Sequence, residues 1–262
     1  MIHLIISLYF EKNNRRWDEL LFCLNKNISN IWIEKIHVLA ESNLDVQKIP
    51  ISQKINLVEI YKRPFISDFF EYANNLDVND FKIISNSDIF FEDSINKVYS
   101  EWSNNNIYCL TRWDFINQNE FRFYENFKSQ DVWIFKNLIP ENIGLYYLGI
   151  PGCDNRLAKE LIDCNFNVSN PSLSIKSIHV HLTEVRNYRI NIDKVEGEYA
   201  YPIPTYFKSC STKSNKNVRK KMITNYLYGK YQNNLEGSDF SMFLRFLSYF
   251  KLQALKIVYK LL

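Results

Sequence analysis

Asn86-Ser87-Asp88 is a polar triplet that directly follows an apolar segment of strand length, residues 81–85. In sheets of parallel strands, ligands bind at the carboxyl ends of the strands, where the loops carry the chemistry. We therefore expect Asp88 to place a carboxylate at the mouth of a cleft. Polar triplets of this kind also form ordinary turns, so a purely structural turn stays an alternative at this point.

Asp154 is a second carboxylate in a position that suits chemistry. It lies in Gly152-Cys153-Asp154, at the beginning of a segment with helical periodicity that continues to Leu161. The partial positive charge at a helix start favours an ionised carboxylate, which we expect to stay charged and well oriented. The alternative is that Asp154 simply caps the helix, and one side chain can serve both purposes.

Two histidines, His179 and His181, alternate with apolar residues in a strand-like segment at residues 175–182. Residues two apart in a strand point to the same face, so the two imidazoles should lie side by side. Such a pair could bind a metal ion or contact a phosphate, whereas a single histidine in a strand is more often just hydrogen-bonded to a neighbour. Arg186 and Tyr188 follow and could add a cation and a hydroxyl to the same region.

The segments that carry these residues alternate between strand and helix patterns. Alternating strands and helices with short connections predict an α/β fold with a mostly parallel sheet covered by helices on both faces. A polar and aromatic insertion, residues 114–130, is long for a plain connection. The predicted strands are residues 2–10, 36–40, 55–60, 81–85, 107–113 and 131–135, and the predicted helices are residues 16–24 and 66–74.

The composition indicates one folded unit and excludes several classes of protein. With 262 residues, of which 46% are hydrophobic and 16% aromatic, the chain can bury a sizeable core, which excludes a disordered protein. The near balance of 32 Lys and Arg against 29 Asp and Glu gives no case for a nucleic-acid binder. Five scattered cysteines without a Cys-x-x-Cys pair favour a reducing, cytoplasmic compartment over a disulfide framework or zinc site. The N-terminal apolar run ends before Glu11, too short for a signal peptide or a membrane span.

The last part of the chain has a different character. Residues 208–262 contain 11 Lys and Arg but only two Asp and Glu, and the segments 222–231 and 242–262 have the pattern of helices. We therefore divide the chain into residues 1–207, which carry the candidate site, and a basic helical extension, residues 208–262. Such an extension can lie on an anionic membrane surface or pack on a partner. The alternative is a helix docked on its own domain, with lysine side chains that reach solvent.

The order of the motifs resembles that of glycosyltransferases with the GT-A fold, especially small bacterial enzymes of surface-polysaccharide assembly. The β-α-β start, the triplet ending in Asp88, the Gly-x-Asp ending in Asp154 and the late histidine follow one another as in that family, over residues 1 to about 190. The resemblance implies a GT-A-like catalytic domain that transfers a sugar from a nucleotide sugar, expected to be a UDP-sugar, to a glycan or lipid-linked glycan. The basic extension alone gives the expected place of the acceptor, at the inner face of the membrane, where the protein would be cytoplasmic and peripheral.

The resemblance matches Asp88 to the last position of the Asp-x-Asp motif that binds a divalent cation, Mn²⁺ or Mg²⁺, next to the donor diphosphate. The cation stabilises the charge that builds on the diphosphate as the glycosidic bond breaks. The late histidine of the family often completes the metal shell, and His179 and His181 are both available for it. Asn86 departs from the family pattern, because a neutral side chain replaces the first aspartate and removes one anionic contact.

The resemblance also implies a general base. In inverting members of the family, a carboxylate at the Gly-x-Asp helix start removes the proton of the acceptor hydroxyl as that hydroxyl attacks the anomeric carbon. Asp154 matches this carboxylate and is favoured by its place at a helix start. Asp131 competes for the role, since it begins a strand beside Trp133, whose ring could stack on a sugar. No residue identifies the stereochemical course.

The nucleotide should lie over the first strands, where an aromatic ring, a cation and two acceptors are available. Tyr9 and Glu11 end the first strand, and Arg63 and Asp68 follow the third. The alternatives are an ion pair between Arg63 and Asp68 and a solvated Glu11. Acceptor recognition is expected from residues 112–114 and the aromatic insertion after them. The full set of expected donor-binding residues is Tyr9, Glu11, Arg63, Asp68, Asn86, Ser87, Asp88 and Arg186.

Two other functions compete with glycosyl transfer. A sugar nucleotidyltransferase also has a doubly wound sheet, but it would show a phosphate loop rich in Gly and Arg after the first strand, and residues 11–16 contain no glycine. A catalytically silent sugar-binding or assembly protein with the same fold is suggested by Asn86. Hydrolysis of a nucleotide sugar, even slow, would exclude the silent protein.

Overall fold

The first half of the chain alternates strands and helices, as its apolar periodicity predicts. The computed structural model describes residues 1–126, 128–183 and 192–207. Its α-helices are α1 (Asn14–Ser29), α2 (Ile66–Asn74), α3 (Val98–Glu101) and α4 (Cys153–Asp163), with short 3-10 helices at Val46–Lys48 and Asp93–Lys97. Its strands are β1 (Ile2–Leu8), β2 (Lys35–Glu41), β3 (Ile55–Ile60), β4 (Phe81–Ser85), β5 (Ile89–Phe91), β6 (Asn106–Leu110), β7 (Trp113–Asn117), β8 (Glu120–Phe123), β9 (Val132–Phe135), β10 (Asn167–Ser169) and β11 (Ser177–His179).

The larger sheet has the strand order β10-β6-β9-β4-β1-β2-β3. Neighbouring strands are parallel except at β9, which runs antiparallel to both β4 and β6. β1 lies inside the sheet, and its nearly continuous apolar sequence is buried, as expected for a parallel strand covered on both faces. The predicted α/β fold with a mostly parallel sheet is confirmed, and the antiparallel β9, which was not predicted, makes the sheet mixed.

Successive side chains of each strand point to opposite faces of the sheet. Because the strands are apolar at both kinds of position, helices cover both faces. Leu4 of β1 belongs to a buried cluster with Leu20 of α1 and Val98 of α3. Ile5, the next residue, belongs to a separate cluster with Phe69 of α2 and with apolar residues of α4. The sheet is therefore held between two apolar layers, which fix the loops at its carboxyl edge.

A smaller sheet, in the order β5-β11-β7-β8, was not predicted from the sequence. The predicted strand at residues 107–113 is wrong in its second half, because β6 ends at Leu110 and the chain enters the smaller sheet as β7. The insertion at residues 114–130 then supplies most of the β7–β8 hairpin. The predicted strand at residues 175–182 is shorter than expected: β11 alone pairs, antiparallel to β5 and parallel to β7.

Apolar side chains give the smaller sheet a core of its own. Phe90 of β5 and Ile178 of β11 pack with Cys23 of α1, and the rings of Phe115 and Phe121 lie against this cluster. The aromatic positions of the insertion thus bury themselves against α1 and β5, which precede them in the chain. Local periodicity does not reveal such contacts between distant segments, so the sequence showed an insertion but not this hairpin.

Residues 208–262 lie outside the described residues, so the division at residue 207 and the basic extension stay predictions. Arg186 and Tyr188 also lie outside them, in residues 184–191. Within the described ranges, no helix is long and apolar enough to cross a membrane.

Candidate functional site

The loop that follows β4 is the centre of the candidate site. The pairing of Ser85 in β4 with Val132 in β9 brings Asn86 beside Asp131. The Asn86 side-chain amide donates to Asp131 Oδ1 at 3.0 Å, and the Asn86 backbone N–H donates to the Asp131 carbonyl at 3.2 Å. Asn86, which replaces the first aspartate of the resembled motif, is thus a hydrogen-bond partner of Asp131.

Asp88 is held in place by contacts on both sides of this loop. Ser87 donates from Oγ to the carbonyl of Ser7 at 2.8 Å, which ties the loop to β1. The Asp88 carbonyl accepts the N–H of Val180 at 2.9 Å, next to the pairing of β5 with β11. The two short strands of the smaller sheet therefore bring Asp88 and the segment with the two histidines to the same place.

Asp88, His179 and His181 form a cluster that could hold a metal ion. His179 Nε2 lies 3.1 Å from Asp88 Oδ2, and His181 Nδ1 lies 3.8 Å from the same oxygen. One ligand atom from each side chain lies within 4.8 Å of the others. The structure thus brings together the three residues that the sequence analysis selected as metal ligands.

Two buried atoms of this cluster, Asp88 Oδ1 and His181 Nε2, have no hydrogen-bond partner among the described residues. Buried polar atoms are nearly always satisfied, so an unsatisfied pair marks a place for an ion, a ligand or water. A mixed set of carboxylate and imidazole ligands suits a first-row transition ion such as Mn²⁺ better than Mg²⁺, which prefers oxygen ligands. The residues present therefore fit the divalent cation that the resemblance implies.

Arg16, which the sequence analysis did not select, contacts the same carboxylate. One nitrogen of its guanidinium donates to Asp88 Oδ2, and the other donates to Glu19 Oε2 at 2.7 Å and to the Val180 carbonyl at 3.0 Å. The position of Arg16 follows from α1, because the Asn13 side chain accepts the Arg16 N–H at 3.1 Å and starts the helix there. A fixed positive charge therefore lies beside Asp88.

Opposite charges set the protonation states in this cluster. Although burial opposes ionisation, His179, His181 and Arg16 hold the pKa of the Asp88 carboxyl well below its usual range. Burial also disfavours the charged form of His179, but the carboxylates of Asp88 and Asp114 raise the pKa of His179 to about 9. At neutral pH, in the absence of a cation, Asp88 is therefore an anion that faces two positive side chains, Arg16 and His179.

The two carboxylates that compete for the role of base, Asp131 and Asp154, lie close enough for their charges to interact. Asp131 accepts hydrogen bonds at Oδ2 from Ser129 and Arg112, both at 3.4 Å, and at Oδ1 from Asn86. Three donors, one of them a cation, thus stabilise a negative charge on Asp131.

Asp154 is the second residue of α4, which confirms the helix start predicted from the sequence. The N-cap is Gly152, in the left-handed region at φ 82°, so Asp154 is not the capping residue. Instead, Asp154 Oδ2 accepts the N–H of Gln130 at 3.3 Å, and Oδ1 accepts the thiol of Cys153 at 3.2 Å. These contacts aim the carboxylate at the segment that carries Asp131.

The charge of Asp154 differs from the one expected from the sequence, which was an ionised carboxylate. Burial and the negative charge of Asp131 raise the pKa of Asp154 to about 8. The prediction that the helix start keeps this carboxylate ionised is therefore wrong for the site without ligand. A helix start contributes only about 0.3–1 kcal/mol, and burial beside a second carboxylate outweighs it.

A line of charged side chains joins the two centres. Arg112 Nε donates to Asp114 Oδ1 at 3.1 Å, while another nitrogen of the same guanidinium reaches Asp131. Asp114 Oδ1 in turn lies 3.8 Å from His179 Nδ1, and the other ring nitrogen of His179 contacts Asp88. The Asp88 cluster and the pair of Asp131 and Asp154 are therefore parts of one network of charged side chains.

Tyr9 and Glu11, expected at the nucleotide, lie near the Asp88 cluster. The Tyr9 hydroxyl donates to Glu11 Oε2 at 3.3 Å. Burial, together with the charges of Glu11 and Asp88, raises the pKa of Tyr9. Glu11 Oε1 accepts the N–H of Asn13 at 2.8 Å, so this carboxylate lies against the loop that precedes α1.

An ion pair between Arg63 and Asp68 was an alternative considered from the sequence, but each of them bonds to another group in the structure. Arg63 donates to the Leu148 carbonyl at 2.8 Å, and its guanidinium lies 4.7 Å from the ring centroid of Tyr147. Asp68 accepts the N–H of Phe65 at 2.7 Å and thereby stabilises the start of α2. Their contacts to a nucleotide stay predictions.

The aromatic segment expected to recognise the acceptor has a divided role. Trp113 donates from its indole nitrogen to the Ser172 carbonyl at 2.9 Å, and Phe121 packs in the core of the smaller sheet. Tyr124 lies against the Arg112 guanidinium, 4.2 Å from its ring centroid, and so borders the Asp131 centre. Of these three rings, Tyr124 is the best placed to contact a ligand.

No family model matches the chain, and no curated protein matches it. Its structure is distantly similar to nucleotidyltransferases and to glycosyltransferases. A putative glucose-1-phosphate thymidylyltransferase from Bacillus anthracis, in complex with a sucrose, aligns with 72% of this chain and 98% of its own, at 12% identity and a TM-score of 0.43.

Two glycosyltransferases align over more of this chain. A mannosyltransferase from Pyrobaculum calidifontis, in complex with GDP-Man and Mn²⁺, covers 96% of this chain and 68% of its own, at 11% identity and a TM-score of 0.43. TarS from S. aureus, in complex with UDP-GlcNAc, covers 96% of this chain and 71% of its own, at 10% identity and a TM-score of 0.39. Similarity at this level assigns no family, so the function has to follow from the site itself.

Proposed function

We propose that the protein is a glycosyltransferase that uses a nucleotide-sugar donor. The observation that carries the proposal is the convergence of two acidic centres on one loop at the carboxyl edge of the sheet. Asp88 belongs to a cluster suited to a cation and a diphosphate, whereas Asp131 and Asp154 offer a proton acceptor. Glycosyl transfer needs both, because charge builds on the departing diphosphate and the attacking hydroxyl must lose a proton.

The Asp88 end of the network is the proposed donor end. Asp88, His179 and His181 would hold the divalent cation, which when bound would neutralise charge on the diphosphate. The chain itself supplies a second positive charge there, the guanidinium of Arg16. Dependence on Mn²⁺ and the choice of a UDP-sugar are parts of this proposal.

The Asp154 end is the proposed acceptor end. Asp154 would take the proton of the acceptor hydroxyl at a carboxylate oxygen. A pKa of about 8 suits this task, because a general base works best when its pKa lies near the working pH. Asp131, stabilised by Asn86 and Arg112, contributes the negative charge that makes Asp154 basic, and Asp131 remains the competing base.

A sugar nucleotidyltransferase fits the loop between β1 and α1 less well. Such an enzyme surrounds phosphate groups with backbone N–H groups in a loop of this kind. Here the N–H of Asn13 is already bonded to the Glu11 carboxylate at 2.8 Å, so a phosphate would have to displace an anion. A catalytically silent binding protein would not require two buried carboxylates side by side. Such an arrangement is more typical of catalytic sites.

The proposed acceptor is a glycan or lipid-linked glycan of a surface polysaccharide. The support for its place at the inner face of the membrane is the basic extension, with 11 Lys and Arg in residues 208–262, because anionic lipids attract such segments. The protein would then be cytoplasmic and peripheral to the membrane.

A thermal-shift screen of the full chain tests donor binding. UDP-, GDP-, CMP- and dTDP-sugars are compared with and without Mn²⁺, because a ligand that binds only the folded state raises the Tm. We expect a UDP-sugar to raise the Tm, and to raise it further with Mn²⁺. Asp88→Asn should lose the Mn²⁺-dependent part, and Asp163→Asn, an exposed carboxylate on α4, should keep it. No shift with any nucleotide sugar would contradict the proposal.

A further inference from the structure

Arg16 and the proposed cation would share one carboxylate, that of Asp88. Asp88 Oδ2 accepts one hydrogen bond from Arg16 and one from His179 Nε2 at 3.1 Å. The same oxygen lies 3.8 Å from His181 Nδ1. Asp88 is 6% exposed and Arg16 is 7% exposed, so little water screens the charges from one another.

Arg16 does not satisfy the cluster as a whole. Asp88 Oδ1 and His181 Nε2 are buried and lack a hydrogen-bond partner in the part of the chain that the structure describes. The guanidinium therefore neutralises the charge of Asp88 but leaves two ligand atoms of the cluster unused. This pattern is expected when a second occupant exists.

We infer that Arg16 and a divalent cation are alternative partners of Asp88, so that Arg16 sets the affinity of the Asp88–His179–His181 cluster for the cation. A guanidinium in contact with Asp88 repels a divalent ion at the cluster, and its departure from Asp88 removes most of that repulsion. The inference rests on the proposed function, since it concerns the regulation of the same site.

Glu19 makes this exchange feasible. It holds the Arg16 nitrogen that does not contact Asp88, at 2.7 Å. Glu19 is itself fixed, because its Oε1 accepts the N–H groups of Leu182 at 2.9 Å and of Thr183 at 2.8 Å. Arg16 can therefore leave Asp88 without becoming an unpaired buried charge, which would be costly.

Mn²⁺ binding to the purified full chain, without nucleotide, tests the inference, with free Mn²⁺ measured by electron paramagnetic resonance. Arg16→Gln removes the competing charge and is expected to tighten Mn²⁺ binding by about 10- to 100-fold, because a positive charge in contact with a buried ligand repels the ion strongly. Arg15→Gln is the matched control, because it removes the same charge at an exposed residue of α1 and leaves the contact with Asp88 intact. Its affinity should stay within about twofold of the wild type, since exposed charges are screened.

Glu19→Gln tests the same competition in the opposite direction and does not depend on the folding of Arg16→Gln. Without the charge of Glu19, Arg16 relies on Asp88 alone, so Mn²⁺ binding should weaken. The control is Asp18→Asn, an exposed carboxylate of α1, which should weaken binding much less.

Equal Mn²⁺ affinities of Arg16→Gln and Arg15→Gln would overturn the inference, and so would an absence of Mn²⁺ binding in every variant. Neither result decides the proposed function, because binding of nucleotide sugars without metal is measured on the same proteins by thermal shift. If Mn²⁺ binding changes as expected and no nucleotide sugar binds, the proposed function fails and the inference about Arg16 stands.

Discussion

Asp154 is the single residue with the most specific role in the proposed reaction. Asparagine keeps the shape of the side chain but cannot accept the proton of a hydroxyl. Asp154→Asn should therefore leave donor affinity nearly unchanged and lower kcat by about 10²- to 10⁴-fold. Calorimetry with the donor and an assay of nucleotide release measure the two quantities separately.

Asp131→Asn is the matched variant for this experiment. Asp131 also bonds Asn86 and Arg112, so its replacement should lower both donor affinity and kcat. If Asp154→Asn lost affinity and turnover to the same extent, Asp154 would not be the base.

The raised pKa of Asp154 also predicts how stability depends on pH. Folding raises this pKa from 3.8 to about 8, so the folded chain binds the proton more tightly than the unfolded chain does. The stabilisation is complete below pH 4 and is lost as the pH rises to about 8. Asp154→Asn cannot ionise, so its free energy of unfolding relative to the wild type should increase from pH 5 to pH 8, as measured by urea unfolding.

Asp163→Asn is the control for this pH dependence. Its carboxylate lies on the same helix but is exposed, so its difference from the wild type should not follow the same trend. A constant difference between Asp154→Asn and the wild type over this pH range would show that Asp154 is ionised in the folded protein.

Chain order was enough to select part of the site, and the rest required contacts between distant residues. The selected side chains stand directly after a strand, near a helix start or two apart in a strand. Arg16 gives only one local sign, its spacing to Glu19, whereas its partner Asp88 is 72 residues away. The bond from Asn86 to Asp131 likewise spans 45 residues. The selected side chains that the structure places together include Asn86, Asp88, Asp131, Asp154, His179 and His181.

At the scale of elements, the start of α4 positions Asp154, and Gly152 determines that start. Gly152 has φ 82°, and an added Cβ would lie 3.1 Å from the Tyr199 hydroxyl and 3.2 Å from the Val195 carbonyl. Gly152→Ala should therefore cost more than the roughly 1–2 kcal/mol that a left-handed backbone costs an L-residue. Urea unfolding measures the loss.

Gly149→Ala is the control that separates the strain of a left-handed backbone from the crowding around an added Cβ. Gly149 has a similar φ of 78°, but its added Cβ would meet only Asn86 Oδ1, at an ordinary 3.5 Å. Gly152→Ala should thus be the more destabilising variant. Equal losses would show that crowding at the start of α4 is unimportant.

Sequence periodicity predicted the strands of the larger sheet well except for β10, and it predicted the smaller sheet poorly. The bounds of β3, α2 and β4 agree with those predicted, because each is a continuous apolar or amphipathic segment between polar turns. β5 has only three residues, too few for a periodic signal, and β11 is only the middle part of the strand predicted at residues 175–182. Their pairing depends on aromatic contacts with α1 and β7, which no local pattern contains.

At the scale of the whole molecule, the uneven distribution of charge predicts binding to an anionic surface. Deleting residues 242–262 should release the protein from vesicles with anionic lipids without abolishing donor binding, because the apolar and basic side chains of this segment would supply the attachment. Cosedimentation with vesicles measures binding, and neutral vesicles are the control. Unchanged binding after the deletion would refute a membrane role for this segment.

The release of nucleoside diphosphate from a nucleotide sugar by the full chain tests the central claim most directly. We predict release of UDP from a UDP-sugar, slow with water and faster with a glycan acceptor, and a loss of about 10²-fold or more in Asp154→Asn. Tight binding of the donor without any release would contradict transferase activity. Release of pyrophosphate from a nucleoside triphosphate and a sugar 1-phosphate would instead identify a nucleotidyltransferase.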